Sequence, residues 1–233
     1  MSKITISLNK RVGLQAMLMA LLLAGCAATA PQYYTLQIPD AGGKPASGLQ
    51  SDYAISVQPV IVPDQVARPQ IVVSSASSGA EVVPLNAALW AGPLEAQIRN
   101  VLADELAQRL GVLDVGQASA AKGLPVWKIY LDVQRFDSIY ADTVRQEVVW
   151  RLVPQGVPGK TKERVCSAQA SLPVEEGMSA LVEGHREALT GLASVIAQSL
   201  PGSSDKRTAS EPPPGVSFRG CVGSKPDRLL GPV

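Results

Sequence analysis

Few side chains in this 233-residue sequence are equipped for chemistry: a single histidine, His185, and three cysteines, Cys26, Cys166 and Cys221. Any Ser-His or Cys-His nucleophile would have to use His185. That residue shares a helical stripe with Leu181, Leu189 and Leu192, where a hydrogen-bonded packing role is expected. No Gly-x-Ser-x-Gly elbow and no His-Glu-x-x-His pair occurs. Gly159-Lys160-Thr161 has the ending of a phosphate-binding loop, but Pro154 stands where its first glycine belongs. A strand pattern follows it, so no helix N-terminus is present to cradle a phosphate, and a hairpin turn is expected. The chain is therefore predicted not to be an enzyme and to need no metal and no cofactor.

Cys26 is different. Residues 1–25 hold Lys3, Lys10 and Arg11 and no acid, and an apolar run of about 13 residues, Val12 to Ala24, follows. That is the basic region and hydrophobic region of a secretory signal, too short for a membrane span, which needs ~20 residues. It ends in Leu23-Ala24-Gly25-Cys26, which resembles the bacterial lipobox, so lipidation of Cys26 is expected. Two or more acyl chains anchor stably, because each buried methylene contributes ~0.8 kcal/mol. Ala27, rather than an Asp, follows the cysteine and points to the outer membrane, with the protein lipid-anchored on its periplasmic face.

Overall composition is globular, with 46% hydrophobic and 18% charged residues. Lys+Arg 21 against Asp+Glu 20 excludes a nucleic-acid binder working through a strongly basic face. Loss of the three basic signal residues leaves the mature chain slightly acidic. In an oxidising compartment Cys166 and Cys221 either form a disulfide or stand apart, one buried and one in a mobile tail.

The elements that must position these residues follow from periodicity. Signal peptide 1–25 and a lipidated tether 26–32 precede one domain, 33–200, and a tail, 201–233. Tyr33–Leu36, Ala54–Val60 and Gln70–Val73 read as short strands, with Ser74–Gly79 a hairpin loop returning through Val82-Val83. Leu94, Ile98, Val101, Leu102, Leu106 and Leu110 predict a helix ended by Gly111. Three alternating segments, Trp127–Val133, Val144–Leu152 and Arg164–Leu172, predict an antiparallel meander with one buried face. A second helix runs from about Ser179 to Leu200, stopped by Pro201. Residues 201–233, with six Pro, five Gly and five Ser, predict a disordered tail. The class is α+β: a mostly antiparallel sheet with two amphipathic helices packed on it. Val66 and Arg68 in the Pro63–Pro69 turn, and Trp90 before the first helix, lie on no periodic face and are interface candidates; Trp90 either staples the helix start or meets a partner.

The segments so placed are similar to one family. Ile55-x-Val57-x-Pro59-Val60, Pro63 and Arg68-Pro69-Gln70-Ile71-Val72, Trp90-Ala91-Gly92-Pro93-Leu94, Val133-Gln134-Arg135-Phe136-Asp137 and Val148-Val149-Trp150-Arg151-Leu152 resemble the PqiC-like (paraquat-inducible C type) intermembrane transport auxiliary lipoproteins. Gln65 and Ala67 depart from it, standing where the family usually carries an aromatic and an acid. The resemblance implies an outer-membrane lipoprotein that docks a periplasm-spanning MCE-domain tunnel protein, served by an inner-membrane permease and ATPase, and that assembles as a ring-like homo-oligomer. Phospholipid or another apolar molecule would be the cargo. The competing class is a structural or pilot lipoprotein of another envelope complex. Cys26→Ser is expected to leave the domain folded but unlipidated; labelled palmitate should appear in wild type alone.

Overall fold

In β5, Val126–Ile139, the inward face changes parity part-way along the strand. Trp127, Ile129, Leu131 and Val133 are buried, and then Phe136 and Ser138. A β-bulge between Val133 and Arg135 inserts Gln134 opposite no partner on the next strand. The extra residue turns Arg135 and Asp137 outward and Phe136 and Ser138 inward. This is seen in a computed structural model of the chain, which describes residues 30–37, 52–74, 81–116, 123–157, 162–200 and 211–223. The signal peptide and residues 26–29 of the tether, Cys26 among them, lie outside those residues.

The strands before β5 are β1 (Gln32–Tyr34), β2 (Ala54–Val57), β3 (Gln70–Ser74) and β4 (Val82–Trp90); those after it are β6 (Thr143–Gln155), β7 (Arg164–Pro173) and β8 (Val216–Gly223). One eight-stranded sheet runs β1-β4-β3-β5-β6-β7-β8, with β2 also on β5. The meander β5–β6–β7 is antiparallel, as its alternation predicts. So is the β3–β4 hairpin, whereas β1 pairs parallel with β4 and both β2 and β3 pair parallel with β5. Two helices, α1 (Leu94–Leu110) and α2 (Met178–Ser199), pack on each other; α1 also covers β2, and α2 covers β6, β7 and β8. Gly111 ends α1 in the left-handed conformation, φ 64°, that glycine adopts without a Cβ penalty. The core between helices and sheet holds Ile98, Leu102, Leu106, Ile129, Trp150, Leu152, Leu181 and Leu189, all essentially inaccessible.

The expected disordered tail 201–233 is corrected at residues 211–223. There β8 adds an edge to β7 in antiparallel register, Cys166 opposite Cys221, and a disulfide joins that pair. Phe218 tilts over Trp150 at 6.1 Å between ring centroids. Val216 lies so close to α2 that a Cβ on Gly191 would meet it at 2.7 Å. Six of the eight β8 residues are exposed, so little apolar area holds this strand, and its sequence carries no alternation to announce it. A cross-link closing a 55-residue separation contributes about 4 kcal/mol by the chain-entropy relation. The Cys166→Ala/Cys221→Ala variant should therefore unfold at a markedly lower urea midpoint than the oxidised protein; an unchanged midpoint would show that the bridge adds nothing.

Candidate functional site

His185 is wholly buried on α2 and its ring is fully committed. Phe136 stacks on it at 4.0 Å with the planes 5° apart. The amide Nε2 of Gln146 donates to the His185 carbonyl at 2.9 Å and lies 3.1 Å from Nδ1. Nδ1 is therefore the acceptor, and Nε2–H donates to Ser138 Oγ at 2.8 Å. Desolvation lowers the imidazole pKa to about 3, so the ring stays neutral at physiological pH. With its proton on Nε2, the ring cannot take the proton of Ser138, and Ser138 is itself buried beneath the helix. This Ser-His contact is a packing network. Sequence reasoning anticipated the role of His185 but not its partners: Gln146 sits in step with Val144 and Val148 on the inward face, while Ser138 reaches that face only through the bulge.

The interface candidates separate. Val66 and Trp90 are buried, 4% and 5% exposed, and are corrected to core residues. The turn closes by hydrogen bonds from Val66 N and Ala67 N to the Pro63 carbonyl, and this folds Val66 inward. Trp90 is the last residue of β4, where its N–H donates to the Pro69 carbonyl at 2.7 Å and its ring meets Phe136 edge-on at 6.4 Å. Pro84 and Asn86 earlier in β4 hide the strand from a periodicity reading. Arg68 alone of the three is exposed, and among the described residues no ion pair engages it.

These residues nevertheless meet at one place. Arg68, Pro69, Trp90, Pro93, Leu94 and Glu95 line a cleft of about 370 Å³ between the Pro63–Pro69 turn and the start of α1. Gln97 braces it from behind: its Oε1 accepts from Leu36 N at 2.9 Å and its Nε2 donates to the Gly92 carbonyl at 2.8 Å. Gln97 is buried, and its place between the stripe positions Leu94 and Ile98 gave no sign of that duty. Chemically the cleft offers an apolar wall, one unpaired guanidinium and one carboxylate, which suits docking of a protein segment better than bond-making. Among the described residues no group of three or more His, Cys, Asp or Glu could hold a metal ion, and no helix is long and apolar enough to cross a membrane.

The model of a family described as "ABC-type transport auxiliary lipoprotein component" matches residues 34–197. Among solved structures, one described only as an uncharacterized protein is 22% identical, with a TM-score of 0.57 over 72% of this chain and 97% of its own. A second, the Xanthomonas campestris protein XCC0632 of family DUF330, is 16% identical, with a TM-score of 0.50 over 74% of this chain and 93% of its own. Both share the fold. No curated protein matches.

Two outcomes are expected. Trp90→Ala should cost ~3–5 kcal/mol as a large-to-small core change, while Arg68→Ala should stay within ~0.5 kcal/mol of wild type. The His185 pKa is lowered, from 6.5 to about 3, so between those values the unfolded chain binds a proton that the native one refuses, and stability falls as pH falls. His185→Gln should flatten that dependence by up to ~1.4 kcal/mol per pH unit, read by denaturant titration between pH 6.5 and 5, above most carboxylate titration.

Proposed function

The chain belongs to the ABC-type transport auxiliary lipoprotein family, and from that premise we propose that it is the outer-membrane-anchored docking subunit of an MCE-type intermembrane transport system. The observation that carries this reading is the adjacency of chemistry and domain: the family match begins at residue 34, just beyond the Leu23-Ala24-Gly25-Cys26 lipobox. Acylation at Cys26 fixes the chain to a bilayer, and a tether of six residues, Ala27–Gln32, reaches at most ~20 Å. The domain then works close to the periplasmic face, where a tunnel-forming partner from the inner membrane would arrive with its permease and ATPase behind it. The Arg68 cleft is the docking surface: an exposed arginine beside an apolar wall, desolvated once a partner covers it, is the kind of place where binding energy concentrates. Self-association into a ring would repeat that surface around an axis. Cargo of such a system is phospholipid or another apolar molecule, which needs a conduit and no catalyst.

Arg68→Ala is expected to abolish or sharply weaken co-purification of the MCE-domain partner while melting temperature and lipidation stay at wild-type values. Unchanged capture by that variant would move the docking surface elsewhere.

A further inference from the structure

The outer face of the sheet, away from both helices, carries a second feature that the docking role does not use. Arg135 of β5, Arg145 of β6 and Arg219 of β8 line one open pocket of about 290 Å³ together with Glu147, Gln169 and Ser171. Two of the three arginines stand at irregularities in the sheet. Arg135 follows the extra residue of the β5 bulge. Arg219 is itself the unpaired residue on β8, between Phe218 opposite Ala168 and Gly220 opposite Ser167. Bulges of this kind re-aim side chains at the expense of regular pairing. Here two separate bulges, on strands with β6 and β7 between them, turn guanidinium groups toward the same spot.

The charge there is unbalanced. Arg219 is held by Glu147 and by Gln169, whose Oε1 accepts from Nη2 at 2.5 Å. Arg135 pairs with Asp137 at 3.3 Å. Arg145, exposed between them, has no ion pair among the described residues, although Asp137 and Ser171 flank it across the strands. Three cations thus face two carboxylates. Donors are also left over: the Gln169 amide N–H₂, since its oxygen is used, and the Ser171 hydroxyl, whose 3.5 Å contact with Thr143 is too long to hold its proton. A ring of guanidinium, amide and hydroxyl donors around a pocket of this size matches an oxyanion with several equivalent oxygens.

We propose that this pocket binds a phosphate group, through Arg145 with Arg135 and Arg219 on either side. The inference does not rest on the docking reading and survives its failure. Two sources share the chemistry, a phospholipid head group and free phosphate. The test is calorimetric titration of the mature lipoprotein in a phosphate-free sugar detergent, with inorganic phosphate and, separately, with a short-chain phosphatidylglycerol below its micelle concentration. Saturable binding is expected. Arg145→Gln should weaken it about tenfold, and Arg145→Lys should restore part of the loss. Glu147→Gln, which removes the competing carboxylate, should tighten it several-fold. Arg145 is exposed and makes no ion pair among the described residues, so Arg145→Gln should leave the melting curve in place; Glu147→Gln removes the ion pair to Arg219, and its melting curve shows whether β8 stays in place with the disulfide intact. Tighter binding of the lipid analogue would assign the head group as ligand, and equal binding would assign the bare anion. Absence of saturable binding by either probe, or affinities unmoved by Arg145→Gln and Glu147→Gln, would overturn the proposal.

Discussion

The single extra residue at Gln134 is the constraint on which much of this structure depends. β5 is the longest strand, bordered by β2 and β3 on one side and by β6 on the other. Had its alternation run unbroken, Arg135 and Asp137 would point into the core and Phe136 and Ser138 into solvent. Unpaired buried charges cost several kcal/mol each, so the strand could not lie against α2 along its whole length. With the bulge, the inner side receives Phe136 and Ser138, which stack on and hydrogen-bond to His185. The outer side receives Arg135. One insertion therefore sets both the buried network under α2 and the cationic pocket on the opposite face.

Buried polar side chains then fix how the layers meet. Gln146 spans from β6 to the ring and carbonyl of His185, Gln97 ties the chain after β1 to the start of α1, and Trp150 Nε1 donates to Ser199 Oγ at 3.1 Å at the far end of α2. Asp114, only part-buried, ties β2 to α1: it accepts from Val57 N at 3.0 Å and pairs with Arg99 of α1 at 2.5 Å. Low dielectric makes such contacts costly to break and so selects one docking geometry for each helix.

The parts of the fold that were legible in sequence are those in which one face is apolar and the other is not. Both helices and the meander Trp127–Leu172 declare themselves by period, and the two-helix, mostly antiparallel plan follows from them. Parallel pairing of β2 and β3 with β5 is invisible in period because it joins segments far apart in the chain. β8 was unreadable because disulfide and ion pair, rather than an apolar face, hold it. At the cleft, Arg68 was legible as an unclaimed exposed cation. Val66 and Trp90 were not legible as core, since a turn and a proline-bearing strand bury them through tertiary contacts that no local pattern encodes. The arginine pocket needs two bulges and the last strand, none of which the sequence signals.

The docking proposal rests on membership of a transport auxiliary lipoprotein family and on a cleft whose exposed guanidinium has no ion pair among the described residues. The most direct measurement is in-cell photocrosslinking from a benzoylphenylalanine placed at residue 68, with position 187, exposed on α2, as the control. The account predicts an adduct with the MCE-domain partner from position 68 and none from position 187. Adducts from position 187 alone, or from neither position while the transport system is assembled, would contradict it.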